Sequence, residues 1–329
     1  MTVGGGETAE GWAAALGRRL RAGDRAAAPA ALNLIEDRSH EGREAAAALL
    51  AEVSPAALGG DAPGHLVGIT GPPGVGKSSL LSALVAKWRT AGRTVAILAV
   101  DPSSKRSGGS LLGDRTRIEH DPADDGILIR STAAAGRLGG LAAPTRTAAH
   151  ALASAFDVVV VETVGVGQSE TEVEELCDTV AVTVQPGSGD TLQFLKAGIM
   201  EVPALLVVTK ADLGDVARRA HRELEATLRS LGVAAQTPAL MVSSLSPPEG
   251  IGELVAALDA HRAALDLAAQ RSRARRMSAL SEFAAEHGER GLRAIGGRRA
   301  AQRMLSAFDR GLEVPALVAA LESAGDLSR

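Results

Sequence analysis

The stretch Gly71-Pro72-Pro73-Gly74-Val75-Gly76-Lys77-Ser78 fits the pattern G-x-x-x-x-G-K-S/T and constrains this chain more than any other. Glycines let the backbone turn tightly, so that several N–H groups converge on phosphate oxygens. In such a loop Lys77 reaches the β- and γ-phosphates, Ser78 offers a hydroxyl to Mg²⁺, and Ser79 extends the cradle. The flanks agree. His65 to Thr70 reads as a buried strand, and Leu80, Leu81, Leu84, Val85 and Trp88 form a helical stripe after the loop. The loop would then lie at a helix N-terminus, where the dipole favours anions.

A chain of 329 residues suggests two domains, or one large domain with appendages. Hydrophobic residues make up 46%, aromatics are scarce and Tyr is absent, so the core must be Ala, Val and Leu. The net charge of −4 argues against broad nucleic-acid binding, while leaving room for a local basic patch. Cys177 is the single cysteine, which excludes an intramolecular disulfide and a Cys-based zinc site. No apolar run reaches the roughly 18 residues of a membrane span, and the N-terminus lacks a signal pattern. The expectation is a soluble, cytoplasmic protein without a membrane partner.

Residues 1–62 read as a helical extension, with Met1 to Glu10 as a polar tail and apolar positions recurring from Trp12 onward. Residues 63–265 alternate short apolar strands with helical patterns. After His65–Thr70 come Thr94–Val100, Ile127–Arg130, Asp157–Val161, Val180–Val184, Ala204–Val208 and Ala239–Val242. Such alternation predicts an α/β fold, a mostly parallel sheet covered on both faces. Ligands of such sheets bind at the carboxyl ends of the strands, and the chemically interesting residues fall there.

Three carboxylates suit a Mg²⁺ shell around a P-loop: Asp101 after the second strand, Asp114, and Glu162 after the fourth. The plainer alternatives are a turn or cap residue for Asp101 and a surface charge for Asp114. Glu162 stands where the GTPase pattern D-x-x-G carries Asp, and Gly165 matches the glycine whose N–H senses the γ-phosphate. Val166 follows, where Ras-like enzymes use Gln to orient the attacking water. An apolar side chain cannot do so, which predicts slow intrinsic hydrolysis.

Base choice follows from Thr209-Lys210-Ala211-Asp212, a match to N/T-K-x-D that closes a strand. A carboxylate such as Asp212 accepts both N1–H and N2–H of guanine, and adenine offers no such pair. Lys210 would lie along the base and the P-loop. Ser244-Leu245-Ser246, after the last strand, would give backbone contacts to guanine O6.

Long motifs then carry a resemblance. Val100-Asp101-Pro102-Ser103-Ser104, the run Ser107 to Arg117 and the run Glu162 to Glu170 look like the MeaB/ArgK GTPases. These are bacterial relatives of the human protein of methylmalonic aciduria type A. The resemblance runs from about Leu20 to the end and is most specific between Gly71 and Asp212. It implies a SIMIBI-class P-loop G domain with an N-terminal helical extension and a C-terminal dimerisation arm, hence a homodimer. It also implies a GTP-dependent chaperone of an adenosylcobalamin-dependent acyl-CoA mutase, usually methylmalonyl-CoA mutase, gating cofactor loading and protecting the mutase. In the family the segment matching Pro186 to Lys196 behaves as an additional switch, and a lysine at Lys196 approaches the nucleotide. Catalytic roles thus fall to Lys77, Glu162, Gly165 and Lys196. After the third strand, Arg130 to Gly140 departs from the family, lacking its prolines and carrying Arg137.

No cobalamin-ligating D-x-H-x-x-G is present. Asp259-Ala260-His261 starts the pattern, but Ala264 replaces its glycine, so His261 reads as a helix-face residue. Residues 266–329 form the helical arm, with Arg271, Arg273, Arg275 and Arg276 most simply a solvated face. Two other classes remain open: a kinase linked to basic amino-acid transport, as older family names suggest, and a nucleotide-gated binding module with negligible turnover. No acceptor pocket or hydroxyl base speaks for the kinase.

Overall fold

Alternation along each strand sends successive side chains to opposite faces, and here both faces are apolar. Val67, Ile69, Val95, Ile97, Val158, Val160, Leu205 and Val207 share one core. Leu66, Leu98, Val159, Val161, Leu206 and Val208 alternate with them and are buried as well. A sheet buried on both sides must satisfy its backbone internally, and parallel ladders do so. The computed structural model describes residues 9–101, 118–135, 140–163, 168–188 and 203–326.

The strands are β1 (His65–Thr70), β2 (Val95–Asp101), β3 (Ile127–Ala135), β4 (Gly140–Leu141), β5 (Val158–Glu162), β6 (Thr179–Val184), β7 (Leu205–Val208) and β8 (Ala239–Met241). Their order is β4-β3-β2-β5-β1-β6-β7-β8. All pairings are parallel except β3 with β4. The seven strands read from the sequence are present. The structure adds β4 and extends β3 through Ser131–Ala135, part of the segment that departs from the family.

Two compact units emerge. One holds the sheet, His65–Ala142 and Asp157–Leu265; the other holds the described residues up to Gly64, Ala143–Phe156 and those from Asp266 onward. In the sheet unit, α5 (Lys77–Thr90) buries Leu80, Leu81, Leu84, Val85 and Trp88 on the shared core. α9 (Ile251–Ala264) adds Ile251, Leu254 and Leu258. Gly68 lies on the opposite face, where a Cβ would collide with Val173 of α7 (Gln168–Leu176). The glycine therefore sets how closely α7 approaches. α8 (Asp215–Ser230) follows β7 in this unit.

The helical unit contains α1 (Ala9–Arg21), α2 (Ala28–Glu36), α3 (His40–Glu52), the short α4 (Pro55–Leu58) and α6 (Ala143–Leu152). It continues with α10 (Leu267–Ala294), α11 (Arg298–Ala307) and α12 (Val314–Ala324). α1 begins at Ala9, inside the stretch read as a tail, and buries Ala13, Leu16 and Leu20 as its apolar stripe. Ser39 and Ser54 cap α3 and α4 by accepting backbone N–H groups at 3.0 and 3.2 Å. α10 changes direction at Gly288, φ 60°. Leu280, Phe283, Leu292, Leu305, Leu317 and Leu321 form its core with α11 and α12. Among the described residues no helix is long and apolar enough to cross a membrane.

The basic run corrects one expectation. Arg271 and Arg275 are only 2% and 3% exposed, not solvated. Arg271 donates to the Ala62 and Gly64 carbonyls. Arg275 pairs with Asp61 at 2.8 Å and donates to the Arg310 carbonyl at 2.8 Å. The irregular segment 61–64 has no ladder to satisfy its carbonyls; Arg271 reaches two of them, and Arg275 holds the segment through the Asp61 carboxylate.

Candidate functional site

The site forms where β1 ends. Gly71, Gly74 and Gly76 take φ values of 141°, 76° and 103°, which side chains rarely adopt. At Gly71 a Cβ would also strike the Thr183 hydroxyl and carbonyl. Gly76 then caps α5, whose first residue is Lys77. Lys77 is buried, and its Nζ donates to the Gly71 and Pro72 carbonyls at 2.7 and 3.2 Å. These bonds fold the ammonium back over the loop it would share with a phosphate. Val75 is buried beneath the loop, Pro73, Gly74 and Ser79 are exposed, and Ser78 is half-buried one residue into α5.

Threonines brace this loop from below, a role the sequence reading missed. Thr183 donates its hydroxyl to the Thr70 carbonyl at 2.8 Å, and Thr163 donates to the Thr70 hydroxyl at 3.0 Å. All three are buried. Thr209 donates to the Val75 carbonyl at 2.7 Å. The legible signal is a threonine at or near the carboxyl end of each central strand, where neutral hydroxyls can hold loop carbonyls without charge.

The base motif is joined to the P-loop through two of its residues. Besides the Thr209 bond to Val75, Lys210 donates to the Gly74 carbonyl at 3.1 Å. Lys210 stands at φ 54°, a left-handed conformation uncommon for a side chain and typical of sites where geometry is imposed. Asp212 is exposed, and its Oδ1 accepts the Ser243 hydroxyl at 2.9 Å. Ser243 also accepts the Leu245 N–H at 3.3 Å, so one hydroxyl orients Asp212 and shapes the loop holding Ser244, Leu245 and Ser246. Ser243 lies one residue before the stretch singled out in the sequence.

Strand order brings the candidate metal residues together only in part. Glu162 closes β5 in register with Ile69 of β1 and Ala99 of β2, so it ends beside the P-loop strand. Asp101 closes β2. With Ser78 they place oxygen-bearing residue types at neighbouring strand and helix ends, a donor set that fits Mg²⁺. Asp114, Gly165, Val166 and Lys196 lie outside the described residues. His261 lies elsewhere: with His65 it flanks Thr179, at 3.0 and 2.9 Å, on the helix face expected for it.

A P-loop between β1 and α5, with a T-K-x-D motif closing β7 on a parallel sheet, defines the class of P-loop GTPases. The family model described as "Methylmalonyl Co-A mutase-associated GTPase MeaB" matches residues 28–292, and the chain belongs to this MeaB family of GTPases. It is 42% identical over 265 residues to a probable GTPase of Mycobacterium tuberculosis, covering 79% of this chain and 76% of that one. It is 38% identical over 254 residues to a mitochondrial methylmalonic aciduria type A homolog of Caenorhabditis elegans, covering 73% and 63%. A crystal structure named LAO/AO transport system kinase superposes with a TM-score of 0.64 at 27% identity, covering 94% and 96%.

Proposed function

We propose that this GTPase is a GTP-dependent chaperone of an adenosylcobalamin-dependent acyl-CoA mutase, methylmalonyl-CoA mutase first. The observation that carries the reading is the direct link between base motif and P-loop, Thr209 to Val75 and Lys210 to Gly74, in a chain matched by the MeaB family over 28–292. Such a link lets the guanine and phosphate ends of one nucleotide act on a single rigid element. In this reading Asp212 reads guanine. The cradle Gly71 to Ser79 and Lys77 hold the phosphates, and Ser78, Asp101, Asp114 and Glu162 serve a Mg²⁺ ion that neutralises charge on them. Gly165 senses the γ-phosphate, Lys196 adds positive charge to it, and the helical arm joins two copies.

Val166 in place of Gln supports a slow intrinsic rate that the mutase raises. Single-turnover GTP hydrolysis, with and without methylmalonyl-CoA mutase, tests this. Acceleration is expected, and an unchanged rate overturns the chaperone assignment. Base reading has its own test. Asp212→Asn is expected to move preference from GTP to XTP by about tenfold or more, as a swapped hydrogen-bond partner leaves guanine unmatched. Competition binding that keeps the wild-type margin for GTP removes Asp212 from that role.

A further inference from the structure

On the helical unit a cavity of about 380 Å³ opens between α10, α11 and the turn after α11. Met277 and Leu305 give it an apolar floor, and the guanidinium-bearing residues Arg273, Arg276 and Arg310 line it. Among the described residues no carboxylate lines it. Arg276 donates to the Phe308 carbonyl at 3.0 Å, which fixes the side chain without neutralising it. Arg271 and Arg275, on the same helix, are spent on the 61–64 segment and on Asp61. Arg273 and Arg276, three positions apart, share the cavity instead.

Three like charges around one concavity repel one another, in a chain whose net charge is −4. A bound anion reverses that cost. Guanidinium forks match phosphate and carboxylate oxygens bidentately, which ammonium groups do not. The volume sits at the lower end of small-molecule pockets, roughly 300 to 1,000 Å³. Gln302 adds a neutral donor at the rim. We propose that this cavity is a second anion site, taking a phosphate-bearing small molecule with two or more charges and sharing no residue with the nucleotide site.

The test uses the full chain holding one equivalent of GDP, titrated calorimetrically with tripolyphosphate. One further anion per chain is expected to bind. Arg273→Glu combined with Arg310→Glu should weaken it at least tenfold. Ser306→Trp, which fills the cavity and keeps its charge, should do the same. All three positions are exposed, so the fold is expected to survive, and circular dichroism melts check it. GDP affinity should not change in either variant. Absence of a further site in the wild type overturns the proposal. So does equal affinity in all three proteins, which means diffuse surface charge. Tighter binding of an oligoglutamate peptide than of tripolyphosphate also overturns it, in favour of an acidic protein segment.

Discussion

Around the P-loop of the sheet unit the side chains that brace the loop are buried hydroxyls: Thr70, Thr163, Thr183 and Thr209, all at or near strand ends. In the helical unit the side chains that hold segment 61–64 are charged: the buried Arg271 and Arg275, with Asp61 against Arg275. The difference follows from what each backbone leaves unsatisfied. Parallel ladders use up the strand interiors, so only loop carbonyls beyond the last ladder bond need partners, and a short hydroxyl on the neighbouring strand reaches them. Segment 61–64 has no neighbouring ladder, and only a long side chain with several donors can span it. Neutral bracing adds no further charge beside Lys77 and Lys210.

The sharpest way to break the contrast is Arg275→Ala. Removing it leaves the partly buried Asp61 without its ion-pair partner and the buried Glu313 without one nearby positive charge, a loss of about 3–5 kcal/mol. Urea melts should show it, and a loss below about 1 kcal/mol would mean that the charges are solvated after all. Lys in its place should recover little, since an ammonium cannot serve Asp61 and the Arg310 carbonyl as a fork does.

Acid and base should separate the two regions next. In the sheet unit burial lowers His65 to about 4, against the raising effects of Asp178 and Asp259. Its unfolded form titrates near 6.5, so the unfolded chain holds the extra proton between those values. Stability from this group is therefore lost as pH falls from 6.5 to about 4, roughly 3 kcal/mol in all. In the helical unit burial raises Glu313 to about 7, opposed by Arg275. Here the native chain holds the extra proton from 4.5 upward, so stability is full below 4.5 and is lost as pH rises to 7, again by roughly 3 kcal/mol. The two slopes oppose each other between 4.5 and 6.5. His65→Gln should therefore expose a fall of stability with rising pH, and Glu313→Gln a fall with acidification. Melting curves across pH 4 to 8 check both signs, and unchanged slopes would refute them.

The smallest effect tests the hydroxyl bracing. Thr163→Val keeps the shape and deletes the donor to Thr70, for about 1 kcal/mol. GTP affinity should change only a few-fold. A loss as large as that of Arg275→Ala would erase the distinction between the units.

Much of the sheet was legible because its signals are local. Runs such as Val158 to Val161 are apolar without a break, and a P-loop needs its glycines at fixed spacing, so both can be read without knowing their neighbours. The pattern Thr209 to Asp212 is local in the same way, four residues that follow the strand β7. Ser243 was not legible, because a serine one residue earlier looks like any other until β7 and β8 pair and bring it to Asp212. The basic run misled for a similar reason. Helical spacing says that Arg271 and Arg275 share a face, but not that segment 61–64, more than two hundred positions away in sequence, covers that face. The sequence by itself determined the parallel sheet, the phosphate loop and the base motif, since each is a short-range pattern of backbone freedom and hydrophobic period. Tertiary structure alone decided which hydroxyls brace the loop, which arginines are buried, and that residues 143–156 pack with the helices of both ends, because those depend on contacts between distant segments that no local pattern encodes.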